Sequence, residues 1–284
     1  MEFCIQFGVL QPFPASVEVV LLYVTHMADR LCYSSIRQYL GGLWQLHKVL
    51  GFDHMDPNRF ELYITLRGIR RMLGDTVEQA RPASITDLQK LYMLLDMSKS
   101  EDVAFWVAVI LGFRGLLRKS NIVEEGLALK ISDLEWETWG LAIRLRRTKT
   151  ISFKERVLYI PFSYIQGSIF CLGYYLTLLF GMVIYPTSGA QVVGFMKDNI
   201  FRRGTYSWYL KKLKRLCVGA GIEMLSTHSL RRGGASLLAD SGFSLLDIRN
   251  VGDWKSLSVL HYLTKSKEAR LKLDYKIVAT AFSS

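Results

Sequence analysis

Apolar residues recur at intervals of three and four through most of the chain and change to a shorter period in one region. PASVEVVLLYVTHMADRL has the spacing of an amphipathic helix, with Ser16 at its N-cap. YSSIRQYLGGLWQLHKVLGF repeats the pattern, interrupted by Gly41 and Gly42. NRFELYITLRGIRRMLG predicts a third helix, and Arg67, Arg70 and Arg71 fall at i, i+3 and i+4 on one of its faces. The polar segment GDTVEQARPAS, residues 74–84, holds Gly and Pro and reads as a linker. Ser84 then caps ITDLQKLYMLLDM, which is followed by the apolar DVAFWVAVILGF. Between 129 and 160 the period shortens: LKISDLEW, GLAIRLRR and RVLYIP alternate or run apolar as strands do, with turn residues at ETWG and around KTISF. FRRGTYSWYLKKLKRLCVGAGI returns to a basic amphipathic helix carrying Lys211, Lys212, Lys214 and Arg215, which Gly219 and Gly221 stop. Further helices are expected over THSLRRGGASLLAD, the short SLLDIRNVG and the terminal KSKEARLKLDYKIVATAFSS. The pattern is mainly α with a small antiparallel β-sheet, divided into a helical part (1–73), a linker (74–84) and a mixed part (85–284).

One stretch competes with a water-soluble reading. No charged residue occurs from Val157 to Met196, and SIFCLGYYLTLLFGMVIY is long enough for a transmembrane candidate. Gly173 and Gly181 break it, Pro161 and Pro186 bound it, and no basic cluster marks one flank. A buried core helix after a strand is the favoured reading.

Composition narrows the partner. The chain has 284 residues, half of them hydrophobic, which suits two domains with real cores. Its formal charge of +11 points to a polyanion. Residues 1–83 hold 8 Lys/Arg against 8 Asp/Glu, whereas 84–284 hold 28 against 17, so the excess lies entirely in the second part. Cys4, Cys32, Cys171 and Cys217 show neither zinc spacing nor a disulfide framework and are expected as free thiols. MEFCIQFGVLQPFPAS has an acid at position 2 and too short an apolar run for a signal peptide, so secretion is not expected.

The chemistry gathers between Thr227 and Tyr262, THSLRRGGASLLADSGFSLLDIRNVGDWKSLSVLHY. Thr227 is placed as a cap, and His228 and Arg231 at i and i+3 leave one helical face together. Gly233 and Gly234 leave room for close approach by another backbone or a ligand. Trp254 and Tyr262 follow. An imidazole, a guanidinium, an indole and a phenol in this order suit the holding and attack of a phosphodiester. Singly each has an ordinary structural explanation, since Tyr262 is one of 14 tyrosines, Trp254 suits a core and His228 a cap. His26, His47 and His54 lack any partner pattern and are assigned structural roles.

This stretch resembles the active-site region of the tyrosine recombinases, integrase-like enzymes that cut and rejoin DNA through a phosphotyrosine. That family sets His-x-x-Arg on a helix, then His or Trp, then the nucleophilic Tyr, which here are His228, Arg231, Trp254 and Tyr262. The wording HSLRRGGAS…GDW…Y is similar to recombinases of DIRS-like and crypton-like eukaryotic mobile elements. Upstream, LLRKSN resembles the family's first-arginine motif and implies Arg118, with Arg114 the chemical rival. A lysine in the β-turn of RRTKT is implied as the acid that protonates the leaving oxygen; Lys149 matches, and Lys154 is the nearest rival. Two departures are visible. The Trp-to-Tyr interval is one residue shorter than in bacterial and phage members, and Asn121 stands where the family often has an acid.

The resemblance implies a helical core-binding, DNA-clamping domain lacking its first helix, joined to an α/β catalytic domain. It also implies double-stranded DNA as partner, self-association on DNA as a synaptic tetramer, and metal- and ATP-independent strand exchange with no cofactor. Candidate DNA contacts are Arg67, Arg70, Arg71, Lys211, Lys212, Lys214 and Arg215, for which a solvated helix face is the competing explanation. The expected location is the nucleus in a eukaryotic host and otherwise the cytoplasm. The alternatives are an inactive, domesticated or truncated DNA-binding derivative, a type IB topoisomerase, and a membrane-associated protein.

Overall fold

A computed structural model describes residues 2–52, 59–74, 80–124, 126–148, 151, 156–254 and 259–260. The chain divides into two compact units, Met1–Gln79 and Ala80–Ser284. In the first unit, a short helix α1 (Glu2–Gln6) precedes α2 (Val17–Ala28), α3 (Tyr33–Val49) and α4 (Phe60–Leu73). Ser16 caps α2 as expected, its hydroxyl accepting from the Val19 N–H. Val20, Val24, Met27, Ile36, Leu40, Leu62, Leu66 and Ile69 form the core at the spacing the apolar pattern sets. Gly41 and Gly42 do not interrupt α3, which runs through them. Burial of Ile36 and Leu40 on either side of one turn outweighs the ~1 kcal/mol helix penalty of each glycine. His47 is structural: its ring accepts the Ala15 N–H at 2.9 Å and meets the Leu43 carbonyl at 2.8 Å. His26 packs on Phe3 and Phe7, and His54 lies outside the described residues.

The second unit is organised on α6 (Ser100–Phe113), buried from Val103 to Phe113. Before it, α5 (Ile85–Tyr92) starts on a capping box in which the Ser84 hydroxyl and Asp87 carboxylate satisfy each other's backbone N–H. After it come α7 (Lys119–Val123) and a three-stranded antiparallel sheet, β1 (Leu134–Glu137), β2 (Gly140–Leu145) and β3 (Leu158–Ser163), in that spatial order. The apolar run then divides among β3, the eleven-residue α8 (Leu172–Met182) and the start of β4 (Gly194–Lys197). No helix among the described residues is long and apolar enough to cross a membrane. Leu172, Tyr175, Leu176 and Leu179 turn α8 into the core beside α6.

The pattern missed a hairpin. β4 pairs antiparallel with β5 (Ile200–Arg203) through Asp198 and Asn199, both at positive φ. A two-residue turn of this kind matches strand twist, and Asp and Asn are among the few side chains that tolerate it. The basic helix therefore begins later, as α9 (Tyr206–Gly219), capped by Thr205. α10 (Thr227–Asp240) and α11 (Leu245–Val251) complete the described elements. Ser226, not Thr227, is the N-cap of α10, because its hydroxyl and that of Ser229 form the reciprocal box. Tyr262 and the terminal helix expected beyond it lie outside the described residues.

Candidate active site

Two glycines seat α10. A Cβ on Gly233 would stand 2.0 Å from the Ala83 carbonyl oxygen, and one on Gly234 the same distance from that of Phe113. The Ala83 N–H in turn donates to the Ser229 carbonyl at 2.9 Å. The close approach anticipated at this pair is therefore made by backbone, from the segment before α5 and from the end of α6. It fixes where His228 and Arg231 emerge.

Arg231 is 2% exposed. Its Nη2 donates to the Gly252 carbonyl at 2.6 Å, and its guanidinium carbon lies 4.2 Å from the centre of the Trp254 ring. A desolvated contact of this type contributes about 2 kcal/mol and holds the guanidinium plane in one orientation. Trp254 packs with Leu116, Ala235, Ile248 and Val259 in a small cluster of its own. Gly252 is required here, since a Cβ would fall inside the indole.

Arg118 sits at the N-cap position of α7, after a left-handed Leu116 that turns the chain out of α6. It reaches His228 electrostatically. Partial burial first, then the positive charges of Arg231, Lys119 and Arg118, hold the His228 imidazole below its ordinary pKa. Much of the residue's surface stays open to water, so the cationic neighbours matter alongside burial. Arg231 and Trp254 are in contact, and the charges of Arg231 and Arg118 both bear on His228. Lys149 and Tyr262, with the rivals Lys154 and Tyr275, fall outside the described residues. Arg114 is directed inward, donating to the Phe170 carbonyl at 2.7 Å and lying 5.4 Å from the Phe162 ring centre.

Lys119 and Asp253 were not singled out by the sequence pattern. Lys119, adjacent to Arg118, acts on His228 and stacks 4.0 Å from the Tyr206 ring centre. Asn121, where an acid was noted as usual, is buried and donates to the Arg147 carbonyl at 2.9 Å, tying α7 to the end of β2. Asp253 accepts from the Thr148 hydroxyl at 3.1 Å and pairs with Arg156. The only sequence sign of Asp253 was its place in GDW, beside Trp254.

Among the candidate DNA contacts, Arg67, Arg70, Arg71, Lys211, Lys214 and Arg215 are exposed. Arg70 also lies over the Tyr33 ring. Lys212 is corrected: at 4% exposure it pairs with Asp102 and stands 3.6 Å from Glu101, joining α9 to the first turn of α6. Helical spacing turns it to the side opposite Lys211 and Lys214.

No family model matches the chain. Its sequence is 28% identical over 163 residues to a probable integrase/recombinase of Acholeplasma phage L2, covering 57% of this chain and 50% of that protein. It is 25% identical to the recombinase Cre of Escherichia phage P1, covering 87% of this chain and 75% of that one. An integrase/recombinase XerD homologue of Selenomonas ruminantium is 23% identical, over 92% of this chain and 76% of that one. The chain thus spans half the length of the first relative and about three-quarters of the others. Among solved structures, the XerH site-specific recombinase bound to a palindromic difH substrate in a post-cleavage complex is similar at a TM-score of 0.61 and 15% identity. That likeness covers 93% of this chain and 70% of that one. The Tn1549 transposon integrase with a circular-intermediate DNA gives 0.57 at 16% identity, covering 93% and 86%. The mainly helical fold with small antiparallel sheets is shared with these recombinase and integrase structures.

Proposed function

We propose that this chain is a tyrosine recombinase that cuts and rejoins DNA through a covalent 3′-phosphotyrosine. The observation that carries the reading is Arg231, buried between an indole face and a carbonyl and sharing one imidazole's surroundings with Arg118. Two guanidiniums can neutralise the charge that develops on the non-bridging oxygens of a phosphodiester, with planar donors that lysine does not imitate. Trp254 serves by supporting the Arg231 plane.

Tyr262 would form the new bond to phosphorus as the bond from phosphorus to the 5′ oxygen breaks. The phenolic proton goes to His228, whose depressed pKa keeps it neutral and able to accept near pH 7. Lys149 would supply the proton that makes the leaving group a 5′-hydroxyl. The phosphotyrosine conserves the energy of the diester, so rejoining needs no ATP, and adduct formation should proceed in EDTA. The exposed arginines of α4 and the exposed Lys211, Lys214 and Arg215 of α9 would bind duplex phosphates, with a synaptic tetramer as the exchanging assembly.

The matched relatives come from two phages and a bacterium, and a transposon integrase shares the fold, which supports a mobile-element origin. The narrower kinship with DIRS-like and crypton-like recombinases rests on the HSLRRGGAS…GDW…Y wording alone, and a nuclear location would follow only from a eukaryotic host.

The test begins with selection of bound duplexes from a random pool, which are then nicked beside each candidate phosphate. Wild-type protein should form a denaturant-resistant adduct, and Tyr262→Phe should abolish it while leaving binding nearly intact. Arg231→Ala should impair both cleavage and binding, and Tyr275→Phe should still form the adduct. A covalent complex that survives Tyr262→Phe overturns the assignment. Binding without an adduct in the wild type would mark an inactive derivative, and relaxation of supercoiled DNA of any sequence would mark a topoisomerase.

A further inference from the structure

Asp253 is buried, follows Gly252 whose carbonyl holds Arg231, and precedes Trp254, whose ring lies against the same guanidinium. Its backbone is left-handed, with φ of 52°, a conformation that glycine adopts freely and that Asp and Asn are among the few other residues to tolerate. The side chain is in use. One carboxylate oxygen accepts the Thr148 hydroxyl at 3.1 Å, and the other pairs with the Arg156 guanidinium. Thr148 and Arg156 stand on opposite flanks of the turn between β2 and β3, and they are 105 and 97 residues from Asp253 in sequence. Thr148 and Ile151 exchange backbone hydrogen bonds at 3.3 and 3.2 Å, and the Thr148 hydroxyl also accepts the Ile151 N–H. Asn121 holds the Arg147 carbonyl from the α7 side. The position after Thr148 is Lys149.

We propose that Asp253 is a positioning residue that clasps Thr148 and Arg156, on the β2 and β3 sides of the connection, to the Arg231–Trp254 side of the site, and so serves the proton transfer that the strand-exchange reading gives to Lys149. The inference rests on the strand-exchange reading above. A single carboxylate thereby couples the wall that stabilises the phosphate to the loop that supplies the proton.

The chemistry provides a readout that loss of stability alone would not give. On an ordinary diester, the departing 5′ oxygen must take a proton as the bond from phosphorus breaks, the role the strand-exchange reading gives to Lys149. On a substrate with sulfur at that bridging position, the group leaves as a stable thiolate and needs no proton. With the selected nicked duplex, Asp253→Asn should slow adduct formation at least about tenfold on the oxygen substrate, as expected when general-acid catalysis is lost. On the sulfur substrate it should stay within about threefold of wild type by the same reasoning. Arg156→Gln, at a side chain 44% exposed and so tolerant of change, should show the same oxygen-specific loss in milder form. Hydrogen exchange at the Thr148 and Ile151 amides should quicken in Asp253→Asn, with the amides of α6 unchanged. Equal losses on both substrates, or wild-type rates on both, would overturn the proposal. If the wild type forms no adduct on either substrate, the strand-exchange reading fails, and unchanged exchange at Thr148 and Ile151 would then separately refute the clasp.

Discussion

At the scale of single residues, His228 ties structure to a pH dependence. Partial burial and the charges of Arg231, Lys119 and Arg118 all oppose its protonation, so its folded pKa lies below the ordinary value of about 6.5. Between the two values the unfolded chain binds the extra proton. The group's contribution to stability is therefore present above the ordinary value and lost as pH falls through the folded one. As a base it should be competent at neutral pH, and the acid limb of adduct formation should lie below about 6.5. Lys119→Ala removes one repulsion and should move both the ring titration, followed by NMR, and that limb upward. A ring titrating at or above its ordinary value in the wild type would contradict this electrostatic account. The His228–Arg231 pair was legible because i, i+3 spacing is local. Lys119 was hidden for the opposite reason: nothing in LLRKSN says which side chain faces a helix a hundred residues later. The Asp253–Thr148 bond was equally invisible, since it exists only once β2 and α11 are in place.

At the scale of elements, glycines separate into those that packing requires and those it does not. Gly233→Ala would drive a methyl into the Ala83 carbonyl, with backbone on both sides unable to yield. Such overpacking should cost about 1–3 kcal/mol in urea unfolding. Gly41 and Gly42 face open space within α3, so Gly41→Ala should stabilise the first unit by about 0.5–1 kcal/mol. If Gly233→Ala proves neutral, the docking of α10 on the 80–84 segment is wrong. The lysines of α9 divide in the same way. Lys212→Ala would leave the mostly buried Asp102 without its cation and should destabilise by about 3 kcal/mol, whatever the DNA. Lys211→Ala should leave stability alone and lower the slope of log binding constant against log salt by about 0.9. Periodicity revealed the helices because one face of each is buried. The β4–β5 hairpin escaped because its strands are four residues long and its two-residue turn, Asp198–Asn199, was the only marker.

At the scale of the whole molecule, charge and architecture divide together. The basic excess begins where the second compact unit begins, so the part holding Arg118, His228 and Arg231 is also the part that would attract a polyanion most strongly. The 74–84 segment read as a linker from its polarity, yet its last residues are engaged with the second unit. Arg81 pairs with Asp87 at 2.7 Å and with Glu223 at 3.2 Å, while Ala83 donates to Ser229. Sequence composition could mark the polar segment but not this docking, because Glu223 and Ser229 lie more than 140 positions away. The division between the two compact units falls inside that segment, between Gln79 and Ala80. Glu78 precedes the pinned stretch, and Arg81 and Ala83 are part of it. A glutamate-specific protease at low enzyme ratio should cut at Glu78 and release two fragments that resist further digestion. Hydrogen exchange at the Ala83 amide, which donates to the Ser229 carbonyl, should be slow, and Asp87→Asn should quicken it by weakening the Arg81 ion pair. Rapid exchange at the Ala83 amide in the wild type, with Glu78 protected from the protease, would remove the basis for placing the boundary there.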